Sequence, residues 1–146
     1  MTQAVGEHPG PDGVLGLGTD LTDVDALRQA LRRRPGLRHR LFTEREWEYS
    51  ARHRDPMPHL AGRFAAKEAV MKCLGAGIGR VGFTDIEVRH DVSGAPTVTL
   101  SGRAAERAEQ LGVDRWWLSL SHTAVLAQAV ALAVRAPGSA PAGPRP

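Results

Sequence analysis

Lysine is almost missing from this chain. Of its 19 basic residues, all but Lys67 and Lys72 are arginine. Cysteine occurs once, at Cys73, which excludes an internal disulfide and any cysteine-rich zinc site. Aromatic residues make up 5% of the chain. They form no stacking platform, and there is no zinc-ligand spacing or basic repeat, so no nucleic-acid module is visible. Long apolar runs are also missing. The longest, Ala124–Val134, is interrupted by Gln128 and is too short to span a bilayer. Met1–Gly13 has no basic segment followed by an apolar one, so it does not read as a signal peptide. A cytoplasmic protein with no membrane partner is the expectation.

What is present fits one domain. The chain has 146 residues and is 42% hydrophobic, enough for a real core. Residues 14–135 carry the periodic patterning. Residues 1–13 and 136–146 are rich in Gly, Pro and Ala and are expected to be disordered tails. The net charge of +3 is modest but uneven, with a cluster of arginines between Arg28 and Arg40. Such a cluster favours a negatively charged partner.

Both lysines lie in Leu60–Leu74. Wound as a helix, this stretch is apolar nearly all round and should be largely buried. Leu60, Phe64, Met71 and Leu74 share one stripe, with Lys67 in its middle. Glu68 and Lys72 share a second face with Ala61, Ala65 and Ala69. Buried charges need a partner, a metal or an anion. An ordinary solvated i,i+4 ion pair between Glu68 and Lys72 is the plainer alternative. A lysine ammonium can sit against a single phosphate oxygen, which makes Lys67 and Lys72 candidates for phosphate binding. Gly75-Ala-Gly77-Ile-Gly79 follows. It can stop the helix and offer free N–H groups to phosphate, so Gly75 joins the candidates.

Val14–Leu21 reads as a strand, and Thr22 or Asp23 as the cap of a helix to about Arg34. Thr43 and Glu46 match a capping box for a helix from Glu44 to about His53. Asp55–Pro58 reads as a loop. Thr84–His90 and Thr97–Leu100 alternate around a turn at Asp91–Gly94, as in a hairpin. Ser101–Leu111 has helical spacing, and Trp116–Leu120 reads as a strand. Ala124–Val134 is ambiguous between helix and strand. Hairpin strands mixed with helices, without regular βαβ alternation, indicate an α+β domain.

Asp20 follows Gly16 and Gly18, beside small residues. It could merely cap the next helix, or it could join Glu68 in holding a hard cation. Mg²⁺ is commonly held by one or two carboxylates plus substrate phosphates. Ser121-His122-Thr123 follows an apolar strand without the glycine elbow of a nucleophilic serine; a His and hydroxyls binding a phosphate fit equally well. Cys73 reads as packing.

Taken in order, Gly16-Leu-Gly-Thr-Asp20-Leu, Leu41-Phe-Thr-Glu-Arg-Glu46, Arg63-Phe-Ala-Ala-Lys-Glu68-Ala with Lys72, Phe83–Val88, Gly94-Ala-Pro96 and Ser119–Thr123 resemble the holo-acyl-carrier-protein synthase family of 4'-phosphopantetheinyl transferases. The resemblance runs from about Val14 to Val134. It implies an α+β fold, an antiparallel sheet with a long packed helix, that trimerises with active sites at subunit boundaries. It also implies Mg²⁺-dependent transfer of phosphopantetheine from coenzyme A to a serine of an acidic acyl carrier protein, releasing adenosine 3',5'-bisphosphate. Mn²⁺ is an alternative metal.

Asp20 and Glu68 would then be the metal ligands and, with Lys72, the catalytic residues. Lys72 would meet the coenzyme diphosphate. Arg63 and His122 would hold its 3'-phosphate, with Thr123 nearby. The family arginine six residues after the aspartate is Ala26 here, so Arg28 and Arg32, i,i+4 neighbours on the first helix, become the candidates for carrier docking. Two other classes stay open: a non-catalytic basic module that binds an acidic protein or nucleic acid, and a different Mg²⁺-dependent nucleotide enzyme.

Overall fold

Ala127, Ala129, Ala131 and Ala133 have no exposed surface, and they alternate along strand β5 (Leu126–Val134). This settles the ambiguous Ala124–Val134 segment as a strand. The computed structural model describes residues 13–75 and 80–139. β5 is the middle of a three-stranded antiparallel sheet, flanked by β1 (Val14–Asp23) and β4 (Arg115–His122). A buried helix, α4 (Met57–Cys73), lies across the alanine face and also against β1. Small side chains on both surfaces let helix and sheet approach closely.

The remaining elements surround α4. Asp23 Oδ1 accepts from the Ala26 amide at 2.8 Å and starts α1 (Val24–Arg33). A short helix, α2 (Leu37–Leu41), follows; its five residues are too few to show a periodic pattern. Thr43 and Glu46 form both halves of the capping box at the start of α3 (Glu44–Ala51). α4 begins at Met57, not after a loop through Pro58: Pro58 sits in the first turn, where its missing N–H has no helical partner to lose. Strands β2 (Ile86–His90) and β3 (Pro96–Leu100) make the hairpin. The Asp91 carboxylate accepts from the Ser93 and Ala95 amides in its turn. α5 (Gly102–Leu111) ends at Gly112, whose φ of +76° is the left-handed stop that glycine adopts freely.

One apolar cluster joins the C-terminal half of α4 to β5, the hairpin and α5; a second joins its N-terminal half to α1, Leu41 and Phe42. The opposite face of the sheet is open. Leu17, Leu21 and Trp117 are 52%, 62% and 65% exposed there. Residues 1–12 and 140–146, the bulk of the predicted tails, lie outside the described residues, as do Gly77 and Gly79 of the predicted glycine loop. No described helix is long and apolar enough to cross a membrane.

Candidate functional site

The site begins with two missing side chains. A Cβ on Gly18 would lie 1.9 Å from the Ala69 carbonyl oxygen, and one on Gly16 would come within 2.8 Å of the Cys73 carbonyl oxygen. With glycine at both positions, β1 lies against the backbone of α4. Asp20 is therefore carried to the outer turn of that helix. β1 continues to Asp23, so Asp20 sits within a strand and leaves the capping role to Asp23. Lys72 Nζ donates to the Thr19 carbonyl at 2.7 Å and to Asp20 Oδ1 at 3.3 Å.

Glu68 stands one helical turn before Lys72 and is half-buried. Burial raises its carboxyl above the ordinary range, and the charge on Asp20 raises it further, while Lys72 opposes both. The three residues thus form one electrostatic unit. A groove of ≈ 450 Å³ opens beside it, with Leu21, Leu27, Phe64 and Phe83 among its apolar walls and Glu68 at its edge.

Two carboxylates under mutual repulsion suit a hard cation. Among the described residues no group of three or more His, Cys, Asp or Glu gathers as a complete metal cage. Asp20 and Glu68 fit the case in which Mg²⁺ keeps water and takes its other oxygens from a substrate phosphate.

Lys67 departs from its expected role. Its side chain is fully buried, with Nζ 2.6 Å from Glu46 Oε2. The ammonium also donates to the Leu41 carbonyl at 2.6 Å and the Phe83 carbonyl at 3.1 Å. Burial pulls the amine below the ordinary lysine range, and the Glu46 charge resists. All three of its donors are used inside the protein, so Lys67 ties the end of α2, the start of α3 and the turn before β2 to α4. It offers nothing to a coenzyme. Gly75 is similar: its φ of +61° ends α4, and its N–H donates to the Lys72 carbonyl at 3.1 Å, so this amide is not free.

Arg63 and His122 belong to a ring cluster. The Arg63 guanidinium lies 4.2 Å over the Tyr49 ring. His53 and His59 stack at 3.5 Å, and His122 meets His59 edge-on at 4.7 Å. Burial, followed by the charges of His53 and His122, pulls His59 down to about 4, so it is neutral at physiological pH. His122 is exposed at the end of β4. Thr123 Oγ1 accepts from the Leu126 amide at 3.1 Å and shapes the β4–β5 turn. Tyr49, His53, His59 and His90 were not singled out in the sequence. They come from three separate stretches, with no motif linking them.

Cys73 is buried and its thiol is pushed up to about 12, chiefly by burial, so it is not a nucleophile. Arg28 is held by both oxygens of Asp55, at 3.2 and 2.8 Å, whereas Arg32 is exposed. The two do not present equally free charges.

Residues 16–132 match the model of the 4'-phosphopantetheinyl transferase superfamily. The chain is 47% identical to the holo-acyl-carrier-protein synthase of Streptomyces avermitilis, over 82% of this chain and 97% of that protein. It is 43% identical to the enzyme of the same name from Caldanaerobacter subterraneus, over 81% and 93%. A crystal structure of a holo-acyl-carrier-protein synthase from Bacillus anthracis, in complex with coenzyme A (3',5'-ADP), superposes with a TM-score of 0.70 at 31% identity, over 85% of this chain and 99% of that one. The α+β architecture, the packed helix and these matches agree: this chain belongs to the holo-acyl-carrier-protein synthase family of the 4'-phosphopantetheinyl transferase superfamily.

Proposed function

We propose that this protein transfers the 4'-phosphopantetheine group of coenzyme A to a serine of an apo-acyl carrier protein, in the presence of Mg²⁺, and releases adenosine 3',5'-bisphosphate. The observation that carries this reading is the convergence of Asp20, Glu68 and Lys72 where β1 presses on α4. Two carboxylates beside one ammonium do not suit a simple anion binder. They suit a diphosphate accompanied by a divalent cation. The name of the Bacillus anthracis structure supports coenzyme A as the donor.

Asp20 and Glu68 would hold the metal, which supplies charge neutralisation at the diphosphate when bound. The residues of the chain do the rest. Lys72, anchored on Thr19 and Asp20, orients its ammonium toward the diphosphate and offsets charge on the leaving phosphate. Glu68 is made more basic by burial and by Asp20, which suits it to take up the serine proton, directly or through a water. The apolar walls of the groove beside Glu68 lower the local dielectric and so strengthen these charge effects. Phosphoryl transfer of this kind asks mainly for positioning and charge.

The open sheet face carrying Leu17, Leu21 and Trp117 supports assembly into a homotrimer with shared sites. Mixing inactive Glu68→Ala and His122→Ala proteins should then restore some activity; a monomer in light scattering at working concentration would exclude the shared site. The direct test of function is to incubate the protein with coenzyme A, Mg²⁺ and an apo-carrier and to weigh the carrier. A gain of one phosphopantetheine that disappears with chelator is expected. An unchanged carrier mass across fatty-acid and secondary-metabolite carriers would overturn the reading.

A further inference from the structure

Thr22 is 7% exposed and has no capping duty, since Asp23 starts α1. Side chains alternate along β1. Thr19 and Leu21 are exposed, whereas Gly18 and Thr22 are buried, with Asp20 between them on the same face. Thr22 therefore follows Gly16, Gly18 and Asp20 on the face that meets α4. Its partner on β5 is Ala127, and that of Asp20 is Ala129, so no larger side chain crowds the pair from that strand.

The Thr22 hydroxyl lies 3.4 Å from Asp20 Oδ2. An ionised carboxylate only accepts, so the hydroxyl is the donor. Lys72 Nζ donates to the other oxygen, Oδ1, at 3.3 Å. Each oxygen thus has one donor. Both contacts are long for hydrogen bonds, and neither fixes the group alone. A carboxylate turns about its last torsion in a broad well; donors on both oxygens set its plane, where one would leave it loose.

The two donors differ in kind. Lys72 reaches in from α4 on a flexible stem, and a diphosphate would draw its ammonium away from Oδ1. Thr22 sits on the same strand as Asp20, two residues on, with a branched side chain that is stiff at its first torsion. It also lines the groove with Glu68. Its grip on Oδ2 does not depend on what Lys72 holds.

We propose that Thr22 is the positioning residue of Asp20: its hydroxyl sets the plane of the carboxylate for a hard cation, acting through Asp20 and without touching the cation. This rests on the assignment of the metal to Asp20 and Glu68 made above. A threonine needed only for its strand-forming shape would be replaced without loss by valine, which is branched in the same way.

The test measures Mn²⁺ binding by the protein with coenzyme A, from loss of the free-ion paramagnetic resonance signal, corrected for coenzyme alone. It compares the wild type, Thr22→Val, Thr22→Ser, Asp20→Ala, and Asp20→Ala with Thr22→Val, and Tm is read on the same proteins. Thr22→Val should weaken Mn²⁺ binding by about tenfold, as for loss of the hydrogen-bond partner of a ligating carboxylate, at a Tm equal to or above that of the wild type. The metal concentration that gives half-maximal turnover should rise by the same factor, while kcat at saturating metal stays within about twofold. Thr22→Ser should keep most of the affinity. The double substitution should bind Mn²⁺ no more weakly than Asp20→Ala, because a residue that acts through Asp20 has nothing to add once Asp20 is gone.

A wild-type protein that binds no Mn²⁺ beyond the coenzyme itself would overturn the metal assignment, and this inference with it. Wild-type binding that Thr22→Val leaves unchanged would overturn this inference alone. So would a Thr22→Ser protein as weak as Thr22→Val, or a loss in the double substitution beyond that of Asp20→Ala. An affinity loss that comes with a fall in Tm would mark Thr22 as part of the packing and overturn it too.

Discussion

Replacing Lys67 by methionine separates a structural lysine from a catalytic one. Methionine keeps the length and the apolar stem but removes the ammonium. What remains is the Glu46 carboxylate, 1% exposed, still accepting from the Thr43 amide at 2.9 Å and the Val88 amide at 2.8 Å. The Leu41 and Phe83 carbonyls lose their donor. Removing one partner of a buried ion pair destabilises by about 3–5 kcal/mol. For a domain of this size that corresponds to a fall in Tm on the order of 10–20 °C. The assay is thermal unfolding followed by circular dichroism at fixed protein concentration, since assembly would make Tm depend on concentration. Coenzyme A affinity of the folded variant, measured well below its Tm, should be unchanged. Lys67→Met with Glu46→Gln should recover about half of the loss: it removes the buried charge but leaves one amide oxygen for two amide donors. A Lys67→Met protein with wild-type Tm and lost coenzyme affinity would refute the reasoning and return Lys67 to the coenzyme site.

Glu68 should titrate above its ordinary carboxyl value, and Asp20→Asn should lower it by removing the like charge; carboxyl carbon NMR reads this, and a rise on substitution would be contrary. Because the carboxylate form is the one that accepts a proton, kcat/KM should climb with pH through that raised pKa, and the acid limb should lie above pH 4.5, the unperturbed Glu value. Gly18→Ala should lower activity more than stability by pushing β1 off Ala69 and moving Asp20. Gly62→Ala, with nothing within 4 Å of the added carbon, should raise stability by about 0.5–1 kcal/mol; equal effects of the two in melting and turnover assays would deny the close strand–helix contact. Arg28→Glu with Arg32→Glu should raise the KM for the carrier several-fold at low salt and leave coenzyme A binding alone. Much of that effect should come from Arg28, whose replacement also sets a carboxylate against Asp55; unchanged carrier kinetics at low ionic strength would end the docking assignment.

The pattern of polarity in the sequence carries the burial of α4 well, because that helix has almost no polar face. It does not reveal which lysine points where. Lys67 and Lys72 sit on a helix buried nearly all round, and only the packed neighbours decide that one meets Glu46 and the other Asp20. Glu46 was legible as a helix cap, and it is one; the same carboxylate also takes the Val88 amide and Lys67, long-range contacts that no local motif encodes. β5 was hidden for a different reason. It alternates in size, alanine against Gln128, Val130 and Leu132, and only weakly in polarity, so a test for polar alternation sees a uniform apolar run. The Gly16–Gly18–Asp20 spacing was the most informative signal, since the close strand–helix contact needs both glycines. The histidine cluster was the least legible, because its members meet only after α3, α4, β2 and β4 have packed.

With Lys67 sealed in the core and Lys72 31% exposed beside Asp20, this protein carries a single side-chain amine that a reagent in solution can reach. Amine-directed labelling or immobilisation, harmless on most proteins because it scatters over many surface lysines, would here be directed to Lys72 and to the α-amine of the chain. Acylation should silence the enzyme in proportion to one modified residue, and bound coenzyme A should protect it.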